Sequence, residues 1–284
     1  MSPSIRSAAA FPHFVVDAFA ERPYSGNPAG VCLPGEPLDD ATMLAIAAEV
    51  NLSETAFVQR RADGDFDLRW FTPTTEVDLC GHATLASGHV LLAHVAPELE
   101  RARFHTRSGL LVVERTAGER GRYALELPLH DAERAAADRV LEAALGASAT
   151  ELWRRGEDRL VVVESERAVR DLQPDFRALA AAAPHLAIVT APAGSAEQAD
   201  FVSRVFAPAV GIDEDPVTGS AHALLAPFWA RRLGRSSLRA RQLSRRGGAL
   251  ECLVGRPRPG RVTLVGGAIT VMSGEWRAGR YSSG

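Results

Sequence analysis

The sequence predicts an α+β protein built from two similar halves, and three observations carry that prediction. Short β-type runs occur along the whole chain, each half holds one Ala-rich apolar stretch that opens on glycine, and the order of motifs around those stretches repeats.

In the first half HFVVDAF (13–19), ETAFVQ (54–59), DFDLRWF (65–71) and GLLVVER (109–115) read as strands. In DFDLRWF, Phe66, Leu68 and Trp70 alternate with Asp67 and Arg69, the period of a strand with one buried and one wet face. A helix over about 39–50 is capped by Asp39 or Asp40 and stops before NLSET, and a second helix begins near Gly81. In the second half LVVVESE (160–166), LAIVTAP (186–192), FVSRVF (201–206), LECLV (250–254) and RVTLVGGAITVM (261–272) read as strands. Helices are expected near 132–145 and 174–183 and over GSAHALLAPFWARRLG (219–234).

The repeat aligns RWFTP (69–73) leading to CGHA (80–83) with RVFAP (204–208) leading to TGSA (218–221). A helix start offers unpaired N–H groups and a partial positive charge, and glycine lets a ligand approach the backbone. Two such ends facing one cleft would grip an anion. Taken singly, Ser220 reads first as a helix cap, His82 as a satisfied surface histidine and Asp215 as a turn carboxylate before proline.

Composition narrows the chemistry. The chain has 284 residues, 46% of them hydrophobic, enough for two ordinary domains or one large one. Net charge is −3 with no basic stripe, so nucleic acid is not an expected partner. The N-terminal MSPSIRSAAAFPHF lacks a signal-peptide run and no stretch suits a bilayer, so a cytoplasmic location is expected. Cys32, Cys80 and Cys252 are scattered, which predicts reduced thiols and no structural zinc. His89 and His94, five apart and outside any H-E-x-x-H, are expected on the surface or core of the helix rather than on a metal. There is no lysine; all 32 basic residues are arginine. Pyridoxal-phosphate imines, lysine Schiff bases and lysine P-loops are thereby excluded.

The segments VDAFAERPYSGNPAGV (16–31), NLSETAFV (51–58), RWFTPTTEVDLCGHAT (69–84), FAPAVGIDEDPVTGSAH (206–222) and VTLVGGAITVMSGE (262–275) together resemble the phenazine-biosynthesis PhzF-like family. That family shares its fold with diaminopimelate epimerase and proline racemase. The resemblance implies two epimerase-like domains, each a β-barrel-like sheet around a central helix, with the active site between them. Domain bounds of 1–127 and 128–284 are expected, with the last strand free to return to the first domain. A homodimer is expected, and no membrane partner.

Residue by residue, the resemblance makes Glu54 the acid/base carboxylate and assigns His82, Asp215 and Ser220 to the substrate site, with Gly81 and Gly219 at the helix starts. A carboxylate in a closed cleft is raised toward neutrality, where it can take and return one proton. Asn27, in Gly-Asn-Pro, reads first as a turn residue and second as a substrate contact. In the cysteine-dependent epimerases of the fold a thiol precedes each helix-start glycine. Here Cys80 holds the first place and Thr218 the second, so a two-thiol mechanism is broken and Cys80 is expected only to pack.

The implied reaction is a cofactor-free, metal-free proton shift on a small anionic unsaturated amino or hydroxy acid, as in isomerisation of trans-2,3-dihydro-3-hydroxyanthranilate. Two alternatives remain: a serine hydrolase using Ser220, His82 and Asp215 without a G-x-S-x-G elbow, and a binding protein of the same fold that has lost its reaction.

Overall fold

A computed structural model describes residues 10–118, 121–194 and 198–277. Most of the N-terminal stretch in which no signal peptide is expected, residues 1–9, lies outside them. Among the described residues no helix is long and apolar enough to cross a membrane.

The first half contributes β1 (Ala10–Ala18), β2 (Asn27–Cys32), α1 (Asp40–Val50), β3 (Thr55–Arg60), β4 (Phe66–Phe71), β5 (Glu76–Val77), α2 (Gly81–Val90), β6 (Arg101–Thr106), β7 (Gly109–Arg115) and β8 (Arg122–Pro128). The second contributes β9 (Glu133–Ala135), α3 (Arg139–Leu145), β10 (Glu151–Arg155), β11 (Asp158–Val162), α4 (Glu166–Arg170), α5 (Phe176–Ala182), β12 (Ala187–Pro192), β13 (Phe201–Ala207) and β14 (Ile212–Asp215). It ends with α6 (Gly219–Leu233), β15 (Ser237–Gln242), β16 (Gly248–Val254) and the long β17 (Arg261–Arg277).

Pairing closes the first set of strands into a ring. β1 pairs with β2, β2 with β3, β3 with β4, β4 with β6, β6 with β7 and β7 with β8, while β17 pairs with both β8 and β1. Closure leaves that barrel without an open edge. Helix α2 packs against β1, β2, β3, β7, β8 and β17, and every residue from Gly81 to Val90 is buried. Such a helix has no wet face, so its polar side chains must be answered inside. Ser87 bonds the Ala83 carbonyl at 2.7 Å, and His89 Nδ1 meets the Tyr123 hydroxyl at 3.0 Å.

The second set runs β9–β10–β11–β12–β13–β15–β16 and joins the first through β17, which also pairs with β16. Helix α6 packs against β8, β15, β16 and β17. One hydrophobic core passes through both sets, joining Trp70 and Leu85 to Phe201, Trp229 and Val262. Each large apolar side chain fully buried there contributes about 1.5–3 kcal/mol.

β4 buries Phe66, Leu68 and Trp70 and leaves Asp67 and Arg69 half-exposed, as its alternation predicts. Helix α1 is capped by Asp39, whose carboxylate accepts the Thr42 N–H at 2.7 Å. Two readings are corrected. The helix expected over 132–145 splits into strand β9, paired with β10, and helix α3, whose start is fixed by the Asp138 cap. Asn27 is the first residue of β2 rather than part of a turn; the turn precedes it, ending at Gly26 with φ of 68°.

Candidate active site

The two Gly-started helices meet end to end. A Cβ built on Gly81 would lie 3.2 Å from the Gly219 Cα, and one built on Gly219 the same distance from the Gly81 Cα. Neither Cys80 nor Thr218 caps its helix with a side chain. The first-turn amides, with their share of the helix dipole, are therefore directed at the shared space. That space is a cavity of about 530 Å³ lined by Glu54, Cys80, Gly81, His82, Asp215, Thr218, Gly219 and Ser220 among others.

Glu54 reaches it from the residue before β3, where its own carbonyl accepts the Gly30 N–H at 3.2 Å. Its Oε2 lies 3.4 Å from His82 Nε2, out of hydrogen-bond alignment, and both atoms are buried without a partner among the described residues. The other ring nitrogen of His82, Nδ1, lies 3.4 Å from Cys80 Sγ. Burial raises the Glu54 carboxyl above its usual range, opposed in part by Ser53 and Cys80. Burial lowers His82 to about 4, so the imidazole is neutral near pH 7. The Cys80 thiol is pushed well upward by burial and by the Glu54 charge, which keeps it protonated.

Asp215 is held from both sides. Its Oδ1 accepts Asn27 Nδ2 at 2.8 Å and its Oδ2 accepts the Thr218 hydroxyl. Burial raises its carboxyl to about 6 despite His82 nearby. Asn27 Nδ2 also donates to the Val217 carbonyl at 2.9 Å. Sequence reasoning missed Gln242, which is fully buried, donates to the Asp215 carbonyl at 2.6 Å and accepts the Thr218 N–H at 2.9 Å. It also missed Arg246, which donates to Asp17 at 2.6 Å and to the Gly26 carbonyl at 2.8 Å, pinning the turn that delivers Asn27. Neither carries a sequence signal, because each acts across a fold-level contact.

Glu54, His82, Asp215 and Ser220 thus line one cavity, with Asn27 behind Asp215. Ser220 has no hydrogen-bonded base among the described residues, so the nucleophile–base pair of a serine hydrolase is not formed. Donor atoms of Glu54, Cys80 and His82 lie within 4.8 Å of one another, close enough to share a cation once the thiol is ionised. A smaller cavity of about 440 Å³, lined by Met43, Phe57, Arg69 and His105 among others, holds none of these groups.

Comparison with known proteins bears on the fold and on nearly the whole chain. The family model described as phenazine biosynthesis-like protein (PhzC-PhzF) matches residues 16–274. An uncharacterized isomerase of Pseudomonas aeruginosa is 49% identical over 261 residues, covering 92% of this chain and 96% of its own. The crystal structure of a PhzF-family phenazine biosynthesis protein from Enterococcus faecalis superposes with a TM-score of 0.87 at 42% identity, over 94% of this chain and 99% of that one. A probable proline racemase from Agrobacterium radiobacter, 12% identical with a TM-score of 0.62 over 96% of this chain and 94% of that one, shares the fold. A barrel closed around a buried Gly-started helix, a second such helix abutting it and a match along nearly the whole chain lead to one conclusion: the chain belongs to the PhzC-PhzF, phenazine biosynthesis-like family and is an isomerase of it.

Proposed function

We propose that this isomerase moves one proton between two carbons of a small unsaturated amino or hydroxy acid, without a cofactor, with Glu54 as the acid/base. The observation that carries the reading is the Glu54 carboxylate, raised by burial and holding an oxygen that has no hydrogen-bond partner among the described residues, at the junction of the two helix starts. The substrate carboxylate sits against the first-turn amides and Ser220. Ionised Glu54 takes a proton from the carbon next to the conjugated system, the double bonds shift, and the resulting carboxylic acid, exchanging its proton with solvent, delivers one to a second carbon. His82, neutral and 3.4 Å away, donates to or accepts from a substrate hydroxyl or amine without competing for the proton. Asp215, held by Asn27 and Thr218, fixes the start of α6.

Proton NMR in D₂O with a panel of such acids, trans-2,3-dihydro-3-hydroxyanthranilate included, tests this. Wild-type protein should place deuterium at carbon in one acid of the panel. Glu54→Gln should lower that rate by at least about a hundredfold while binding persists. Ser220→Ala should chiefly weaken binding, because backbone amides remain. An active Glu54→Gln beside a dead Ser220→Ala would overturn the reading in favour of a serine nucleophile.

A further inference from the structure

The same cavity has a second polar wall, remote in sequence from both helix starts. It is built by His130, just beyond β8, Arg155 at the end of β10, Asp158 at the start of β11 and His185, just before β12. Arg155 and Asp158 face each other across the β10–β11 hairpin. The half-exposed guanidinium stays 3.6 Å from the Asp158 carboxylate, beyond hydrogen-bond reach. The other oxygen of Asp158 is taken by His185 Nδ1 at 2.5 Å. Asp158 is thus shared between the histidine and the arginine, and no hydrogen bond among the described residues occupies the N–H donors of the Arg155 guanidinium.

Of the other carboxylates on the cavity walls, Glu54 and Asp215 stand at the helix starts, and two more have arginines of their own. Glu76 is matched by Arg69 and Arg107, each at 2.6 Å, and Asp78 has Arg107 at 3.6 Å. Arg155 is the one arginine among the residues lining the cavity, and the chain has no lysine.

His130 is fixed by a device in α6. Pro227 lies inside that helix and has no N–H, so the Ala223 carbonyl four residues earlier loses its helical partner. It accepts the His130 N–H at 3.1 Å instead. The proline thus ties the His130 backbone to the helix that carries Ser220 and Gly219.

We propose that Arg155, with His130 and His185, forms a second anion subsite, and that the substrate class is a small acid bearing two carboxylates: one on the helix-start amides, one on Arg155. The inference rests on the proposed carboxylate seat at the helix starts. It adds the second seat, which that reading does not require. A planar guanidinium can hold a carboxylate through two N–H donors, a geometry that selects for that group over a hydroxyl.

Isothermal titration with propanoate, butanedioate and pentanedioate tests it on the intact protein. One of the two diacids should bind about five- to tenfold more tightly than propanoate, with the ratio shrinking as salt rises. In Arg155→Met, whose fold is checked by circular dichroism because the residue is exposed, the ratio should fall to about one; Arg155→Lys should keep part of it. If propanoate binds and neither diacid gains, this inference is overturned and the seat at the helix starts stands. If none of the acids binds, both fall. A diacid preference that survives Arg155→Met would also overturn it.

Discussion

Burial pushes the carboxylates and the histidine of the site in opposite directions, and the two signs can be separated by experiment. Glu54 must be ionised to accept a proton, and burial raises its pKa, so kcat/KM should climb through an acidic limb lying above the ordinary glutamate range. A limb at the ordinary value, read from a pH–rate profile, would remove Glu54 from the role. Stability follows the histidines. His82, His89 and His222 are each lowered to about 4 by burial, against 6.5 when unfolded. Between those values the unfolded chain binds more protons, so their contribution is present above pH 6.5 and is lost as pH falls toward 4, by up to about 3 kcal/mol each. Asp215, raised to about 6, works the other way, since its folded form holds the proton longer as pH rises from 3.8. Urea melts of Asp215→Asn should therefore show a steeper acid loss than wild type between pH 6 and 4. Cys80 does more than the packing expected of it, its sulfur being 3.4 Å from His82 Nδ1. Because its thiol stays protonated, Cys80→Ala should slow turnover less than tenfold, against a hundredfold or more for Glu54→Gln.

The elements that deliver these residues were unequally legible. α2 and α6 could be read because glycine followed by a long apolar run has few other meanings, and Glu54, His82, Asp215 and Ser220 because their motifs are distinctive. β9 could not, since three residues take their strand state from pairing with β10 rather than from their own pattern. Asn27 misled because Gly-Asn-Pro is a local turn signal, whereas pairing with β1 and the contact with Asp215, 188 residues away, decide its place. Gln242 was silent for the same reason. The abutting glycines give this scale its test. Gly219→Ala gains helix propensity, up to about 1 kcal/mol, but sets a methyl 3.2 Å from the Gly81 backbone, and overpacking costs about 1–3 kcal/mol. The two partly offset, leaving a net loss of up to about 2 kcal/mol in stability. There is no such offset in catalysis, where moving the helix starts apart by a few tenths of an ångström displaces His82 from Glu54. Turnover should fall at least about tenfold with melting shifted by only a few degrees. Full activity in Gly219→Ala would show that the contact between the helices does not set the site.

At the scale of the molecule, the two halves share a strand and a hydrophobic core. β17 pairs with β1 and β8 on one side and with β16 on the other, so the barrel around α2 cannot open without stripping a strand from the second sheet. The core that joins Trp70 and Leu85 to Phe201 and Trp229 would be cut by any separation at the expected 127/128 boundary, which falls at the end of β8. The resemblance to a two-domain family predicts a division, yet a cooperative unit is defined by the surface exposed when it opens. Separating the halves would expose the helix starts, the buried Asp215–Asn27 contact and large aromatics at once. Native-state hydrogen exchange in rising urea should therefore show the amides of β4, in the first half, and β12, in the second, converging on one opening free energy. Mass spectrometry of the corresponding peptides, 66–71 and 187–192, can measure both in a single sample. Two plateaus separated by more than about 1 kcal/mol would mean that the halves fold as independent domains, and that β17 is a tether between them rather than a common wall.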